Sequence, residues 1–455
     1  MKRTIFLAIS IMCLFANDVF LSAQNQAIKY ETSFEKAKVR ALTENKPIAI
    51  LLTVEIPAAF KNAPAVLDNS MVVEKYNSNF VNYKVAKEDT LHSNPIIREF
   101  KIYRFPSFLF LDSKGGLIFT DVALMSLYQA LVGMADKALA ESKEVSLIDY
   151  DTVYKEGIRD ADFLKKYILK RLKAGINDNS ELIEKYVNKL KVEDFDNYNQ
   201  ILFVLKAGPV LNGRAYKLAY SNQQLIDSLF RVEPPADRKA INNCIITNSM
   251  NKAIRTKNFQ MASAVASFVY GTWSNDPKEG FRNQQFELIK YYRGVSDTLN
   301  YLRSASNYYD SYYMEVSLDS IQRREEMNLE NNLKTAMQNI TVKMVNNTSF
   351  TRSFTVSRPQ NSVSAIELNN AAWSLYQFAG NRPDYLIKAM KWVRRSIVLE
   401  PLPAFYDTNA HILYKLGFYE EALNAEKTAI EQAEIKMEGT KNLRLELDKM
   451  NKRTL

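Results

Sequence analysis

Cysteine is nearly missing from this chain: its 455 residues hold two, Cys13 and Cys244. One thiol beyond the N-terminal region cannot build an internal disulfide framework, and no zinc-type spacing of Cys and His occurs. Histidine is as scarce, with only His92 and His411, isolated from each other in the sequence. With 13 glycines in all, there is no phosphate-cradling P-loop and no G-x-S-x-G nucleophile elbow. Dense basic blocks interleaved with aromatics are also absent. Lys and Arg alternate with acids, as across Glu181 to Asp194, so the net charge of +9 describes solvated faces and not a nucleic-acid surface. Apolar runs long enough to span a bilayer, about twenty residues, do not occur, and the mature chain is expected to cross no membrane.

What is present is an ordinary globular composition, 47% apolar, on a length that fits roughly two to four domains. Residues 1–23 have the form of a signal peptide. Lys2 and Arg3 give the positive start, Ile5 to Phe15 the apolar stretch, and Leu21-Ser22-Ala23 a cleavage site before Gln24. The expected location is therefore the periplasm. Cys13 follows the bulky Met12 inside the apolar stretch, a poor setting for a lipid anchor.

A first domain is expected over 28–142. Thr32-Ser33-Phe34-Glu35 reads as a capping box with Thr32 as N-cap, and Phe34, Ala37, Ala41 and Leu42 follow at helical spacing. Asn45-Lys46-Pro47 ends that helix, and Ile48 to Leu52 is a strand-like apolar run. Asp68-Asn69-Ser70 caps a second helix, Phe80 to Val85 alternates as a strand, and Asn94-Pro95 opens a third helix ending near Phe100. Phe108 to Leu111 and Leu117 to Thr120 form a hairpin across Ser113-Lys114-Gly115-Gly116, and Ser126 to Ser142 a closing helix. This succession, with Phe105-Pro106-Ser107-Phe108 ahead of the hairpin, resembles the thioredoxin-like domains of secreted bacterial proteins.

The resemblance implies an α/β fold with a cis-proline at Pro106, and it places Ile56-Pro57-Ala58-Ala59 where the family carries Cys-x-x-Cys. Thiol–disulfide exchange needs an attacking thiolate and a resolving sulfur, and Ile56 and Ala59 offer neither. The fold is expected without its redox chemistry.

From 147 to 338 the period changes to 3.6. Asp162 to Leu172, Glu181 to Leu190, Phe195 to Leu205, Gln223 to Phe230 and Arg238 to Ile254 carry one apolar face each, punctuated by Gly175, Gly208-Pro209, Gly213 and Pro234-Pro235. Helix pairs of this kind cover their apolar faces by stacking on neighbours. Residues 339–363 are polar, rich in Asn, Thr and Ser, and read as a linking loop. Over 364–436 a repeat emerges: Trp373 and Tyr406 lie 33 residues apart, as do Ala389 and Ala422. Pro401 closes the first unit, and the second reads Tyr406, Ala410, Gly417, Tyr419 and Ala422. This resembles the tetratricopeptide (TPR) repeat, with small residues where helices approach and Gly417 in the turn. Gln377 and Ser396 depart from the family pattern in the first unit. Weaker echoes fall at Ala253, Lys257-Asn258 and Ala262, and at Tyr301, Ala305 and Tyr308-Tyr309. Residues 437–455 form a last helix or tail.

No catalytic residue, metal site or cofactor is expected. The tyrosines Tyr291-Tyr292, Tyr301, Tyr308-Tyr309 and Tyr312-Tyr313 fit helix packing, with one or two left for a surface, and Asp310 has no second acid at catalytic spacing. The whole resembles the thioredoxin-fold/TPR proteins of Gram-negative envelopes. It implies a scaffold or chaperone-like module for a protein or peptide partner in the envelope. The competing expectation is a thiol oxidoreductase working through Cys244.

Overall fold

The computed structural model describes residues 27–54, 66–122, 128–343 and 362–455. The expected signal peptide with Cys13, the tetrapeptide Ile56 to Ala59, and 344–361 of the polar segment lie outside the described residues. The chain divides into two compact units, Met1–Asn177 and Asp178–Leu455.

The first unit runs β1 (Tyr30–Glu31), α1 (Phe34–Glu44), β2 (Ile48–Thr53), α2 (Ser70–Asn79), β3 (Val81–Ala86), α3 (Thr90–Phe100), β4 (Ser107–Leu111), β5 (Leu117–Val122), α4 (Tyr128–Glu141), α5 (Leu147–Lys155) and α6 (Ala161–Lys173). The five strands form one sheet in the order β1-β3-β2-β4-β5. β3 is parallel to β1 and β2, while β4 is antiparallel to β2 and β5. That mixed arrangement is the α/β sheet the thioredoxin resemblance implies.

The reason lies in β2. A strand reading Ile-Ala-Ile-Leu-Leu has no polar face, so it is stable only where both sides of the sheet are covered. Alternation divides its side chains between two cores. Ile48, Ile50 and Leu52 pack with Ala37 and Ala41 of α1 and Ile96 of α3. Ala49 and Leu51 pack with Tyr76 of α2 and Leu131 and Ala138 of α4. β4 splits the same way, Leu109 and Leu111 to the first core and Phe108 and Phe110 to the second. Each buried side chain of this size contributes about 1.5–3 kcal/mol. The central strands therefore outweigh any single cap.

Two local expectations are corrected. Ser33, not Thr32, caps α1: it is extended, and its hydroxyl accepts from the Lys36 amide. Glu35 then sits one residue too early for a capping box and pairs with Lys38 at 2.6 Å. The third helix begins at Thr90 rather than at Asn94-Pro95, so Pro95 lies inside it. Pro95 removes the amide that would bond to the Leu91 carbonyl, at a residue that is 77% exposed.

The hairpin between β4 and β5 is tied to α5. Asp112 is buried and accepts from the Lys114 amide at 2.9 Å, the Gly116 amide at 2.8 Å and the Ser146 hydroxyl at 2.5 Å. Ser146 is also the N-cap of α5. The compact unit accordingly continues past Ser142 to Asn177. A Cβ on Gly116 would stand 2.5 Å from Asp112 Oδ2 and 2.6 Å from Ser146 Oγ. Because three donors pin Asp112, it cannot swing aside. Gly116→Ala is expected to cost about 1–3 kcal/mol, as overpacking does, with a loss of the α5 cap. Urea unfolding of the variant checks this; an unchanged midpoint would contradict it.

The second unit is helical throughout: α7 (Ser180–Val187), α8 (Tyr198–Lys206), α9 (Arg214–Ala219), α10 (Gln223–Val232), α11 (Pro235–Arg255), α12 (Phe259–Gly271), α13 (Pro277–Gly294), α14 (Thr298–Tyr309), α15 (Leu318–Lys343), α16 (Val363–Ala379), α17 (Pro383–Leu399), α18 (Pro403–Lys415), α19 (Tyr419–Ile435) and α20 (Lys441–Asn451). Its later helices form pairs joined by three-residue connections, 380–382 for α16 and α17 and 416–418 for α18 and α19. The apolar faces meet in one core that runs from Tyr301, Tyr308 and Tyr313 through Leu375 and Trp392 to Phe405 and Ile412. No helix among the described residues is long and apolar enough to cross a membrane.

Candidate functional site

The Phe105–Pro106 peptide is cis. The Ser107 hydroxyl closes its turn by donating to the Arg104 carbonyl at 2.6 Å. Leu52, near the end of β2, pairs with Ser107. The chain therefore leaves β2 at the end of the sheet where this turn lies, and continues into residues outside the description. Tyr103 is 82% exposed beside the turn, and Phe105 and Pro106 are half-buried. No cysteine stands among the described residues of this unit.

Cys244 lies on α11, half-buried, with the Asn248 amide 3.6 Å from its sulfur. Burial, reinforced by the negative charge of Asp178, pushes its thiol up to about 11. A thiol so placed is a thiolate in about one molecule in ten thousand at neutral pH, the opposite of an activated nucleophile.

The residues singled out for the repeat take up distinct positions. Ala389, Ala410 and Ala422 are fully buried, where a larger side chain would hold the paired helices apart. Gly417 has φ +87° in the connection between α18 and α19, a conformation that strains any residue with a Cβ. Trp373 and Tyr406 are half-buried, Tyr419 opens α19 and is exposed, and Pro401 is exposed between α17 and α18. Of the tyrosines, Tyr291, Tyr301, Tyr308, Tyr309 and Tyr313 are buried, while Tyr292 and Tyr312 pack on the rim. Arg282 lies among them, donating to Tyr313 at 2.8 Å and Tyr308 at 3.2 Å. Asp310, which showed no sequence partner, accepts from the Trp392 indole at 2.8 Å and pairs with Lys388. It is a packing residue.

One cluster escaped the sequence. Asp407 and His411, one turn apart on α18, meet Glu426 of α19, with one ligand atom from each within 4.8 Å of the others. His411 is 8% exposed and Glu426 fully buried. The His411 Nδ1 lies 2.9 Å from the Asp407 backbone carbonyl and 3.4 Å from its Oδ1. A carbonyl can only accept, so Nδ1 carries a proton there. Nε2 faces Glu446 of α20 at 3.5 Å. Trp373 of α16 presents its ring edge-on to the imidazole, centroids 5.4 Å apart.

Both Glu426 oxygens and Asp407 Oδ1 lack a hydrogen-bond donor. Two carboxylates cannot bond to each other unless something positive lies between them. Burial, together with the like charge of Asp407, raises the Glu426 carboxyl far above the usual range, so a shared proton fills that role in the metal-free chain. Burial works against charge on His411, but the Asp407 side chain and carbonyl hold it up at about 9. The arrangement can store protons or hold a cation. Its signals were present in the sequence: Asp-x-x-x-His on one helix face, and an acid one turn after Ala422 on the buried side of α19.

Comparison with solved structures finds a protein described as "DsbH Oxidoreductase", 18% identical, over 25% of this chain and 85% of that one, with a TM-score of 0.22. No family model matches the chain, and neither does any curated protein.

Proposed function

We propose that this chain is an exported, redox-inactive thioredoxin-fold protein of the cell envelope whose TPR-like helix pairs bind a segment of a protein partner. The observation that carries the proposal is the distribution of cysteine. The unit built on the sheet has no cysteine beyond the expected leader, and Cys244, in the other unit, has a thiol raised to about 11. A fold retained without its nucleophile leaves surface as its working part.

The helical unit offers such a surface. Tyr270, Trp273 and Phe281 stand 43%, 40% and 50% exposed around the connection from α12 to α13. Gly280 packs directly on Tyr270 and Trp273, which gathers the aromatic groups at one place. Exposed aromatics of this kind are the usual anchors of protein interfaces.

The mature chain is expected to capture a specific partner from an envelope fraction. Trp273→Ala with Phe281→Ala should weaken that capture about tenfold or more, the loss of one interface anchor. A chain ending at Asn177 should lose it. Equal capture by all three would contradict the proposal. Cys244 should react with a thiol reagent at least about a hundredfold more slowly in the native chain than in urea, given its raised thiol. Fast native labelling would favour thiol chemistry instead.

A further inference from the structure

We propose that Asp407, His411 and Glu426 form a binding site for one divalent first-row transition cation, of the zinc class. Three donors converge from two helices, and the deepest of them, Glu426, is fully buried with no N–H or hydroxyl donor on either oxygen. A buried carboxylate without a donor is costly, and a cation is the group that satisfies two carboxylates and an imidazole together. The imidazole decides the class. Magnesium and calcium take oxygen ligands, whereas zinc and its neighbours accept nitrogen and carboxylate oxygen together.

The size is suitable. Tetrahedral zinc bonds of about 2.0–2.2 Å place ligand atoms about 3.3–3.6 Å apart. The donors here are spread over no more than 4.8 Å, so binding requires them to draw in by about 1 Å. Nδ1 of His411 lies 3.4 Å from Asp407 Oδ1, and to ligate a cation it gives up its 2.9 Å bond to the Asp407 carbonyl. Binding there displaces its proton to solvent. Nε2–H stays directed at Glu446, 3.5 Å away, which then orients the ring as an outer carboxylate does for a metal-bound histidine. The proton between Asp407 and Glu426 is displaced as well. With three protein donors inside a helix pair, the ion would staple α18 to α19 and close the end of the helical unit.

The site is independent of the partner-binding surface proposed above, and its test reads metal alone. EDTA-treated mature chain is titrated with Zn2+ by calorimetry at pH 7.5, in two buffers of different ionisation enthalpy. One ion per chain is expected, with release of at least one proton and a rise in melting temperature. Glu426→Gln and His411→Gln should each weaken binding more than tenfold, while His92→Ala leaves it unchanged. Should either site variant fail to fold, the wild type decides by NMR. The chain has only two histidines, and Zn2+ must shift the His411 imidazole. No stoichiometric binding, full binding by Glu426→Gln, or a shift confined to His92 would each overturn the proposal.

Discussion

Trp392→Ala is expected to lower the stability of the helical unit by about 4 kcal/mol, near the upper range for deleting a buried aromatic side chain. Trp392 is fully buried on α17, with its ring 5.2 Å from that of Tyr309. It also does more than fill space. Its indole donates to Asp310 at 2.8 Å, at the turn Asp310–Met314 where α14 gives way to wider-wound helix. Removing the ring opens a cavity between the tyrosine cluster and the C-terminal pairs, and takes a donor from a partly buried carboxylate. Trp392→Phe keeps most of the volume and loses the donor, so its cost should be about 1–2 kcal/mol, the size of one charge-assisted hydrogen bond. Urea unfolding followed by far-ultraviolet dichroism separates the two. Equal small losses in both variants would show that the Trp392 ring does not organise this core.

The second large effect is a loss of stability as pH rises. His411 is held at about 9, above its ordinary value of 6.5, by Asp407 against the opposing effect of burial. A group raised in this way favours the folded state fully below 6.5 and loses that contribution as pH climbs through 9. A shift of this size corresponds to about 3 kcal/mol. Glu426, raised by burial and by Asp407, acts in the same direction, because the unfolded carboxyl gives up its proton above its ordinary value of 4.5 while the folded one keeps it. Glu446, facing Nε2 from α20, adds negative charge that holds the imidazolium. The metal-free chain should therefore be most stable near pH 5–6 and lose about 3 kcal/mol or more by pH 10. Glu426→Gln retains a donor toward Asp407 and has nothing to deprotonate, so its unfolding midpoint should depend less on pH and exceed that of the wild type at pH 10. Urea midpoints measured in EDTA at pH 5.5, 7.5 and 10 test this. A wild-type profile flat across that range would contradict it.

Much of the first unit was legible because its strands carry unusually plain patterns. Ile48 to Leu52 has no polar side chain, and Phe108 to Leu111 none either, so both had to lie inside a sheet covered on two faces. Cap assignment was harder. Thr32 and Ser33 are both good caps, and only the backbone turn at Ser33 decides between them. Pro95 misled for a related reason: proline marks a helix start on average, but here it stands in the second turn, one turn after the exposed Leu91.

The cluster on α18 and α19 was out of reach of linear spacing. Asp407 and His411 are one turn apart, which alone is an ordinary surface pair, and the third member stands 15 residues beyond His411 on another helix. What sequence did contain was the facing of Glu426. It follows Ala422 by four residues, and Ala422 is the small residue at which the helices meet. An acid at such a position has to be paired, protonated or bound to a cation.

The most direct test of the proposal that this chain works by binding and not by thiol chemistry is thiol–disulfide exchange by the purified mature protein. Reduction of insulin by dithiothreitol should proceed at the uncatalysed rate with the wild type and with Cys244→Ser alike. An acceleration by the wild type that Cys244→Ser abolishes would contradict it.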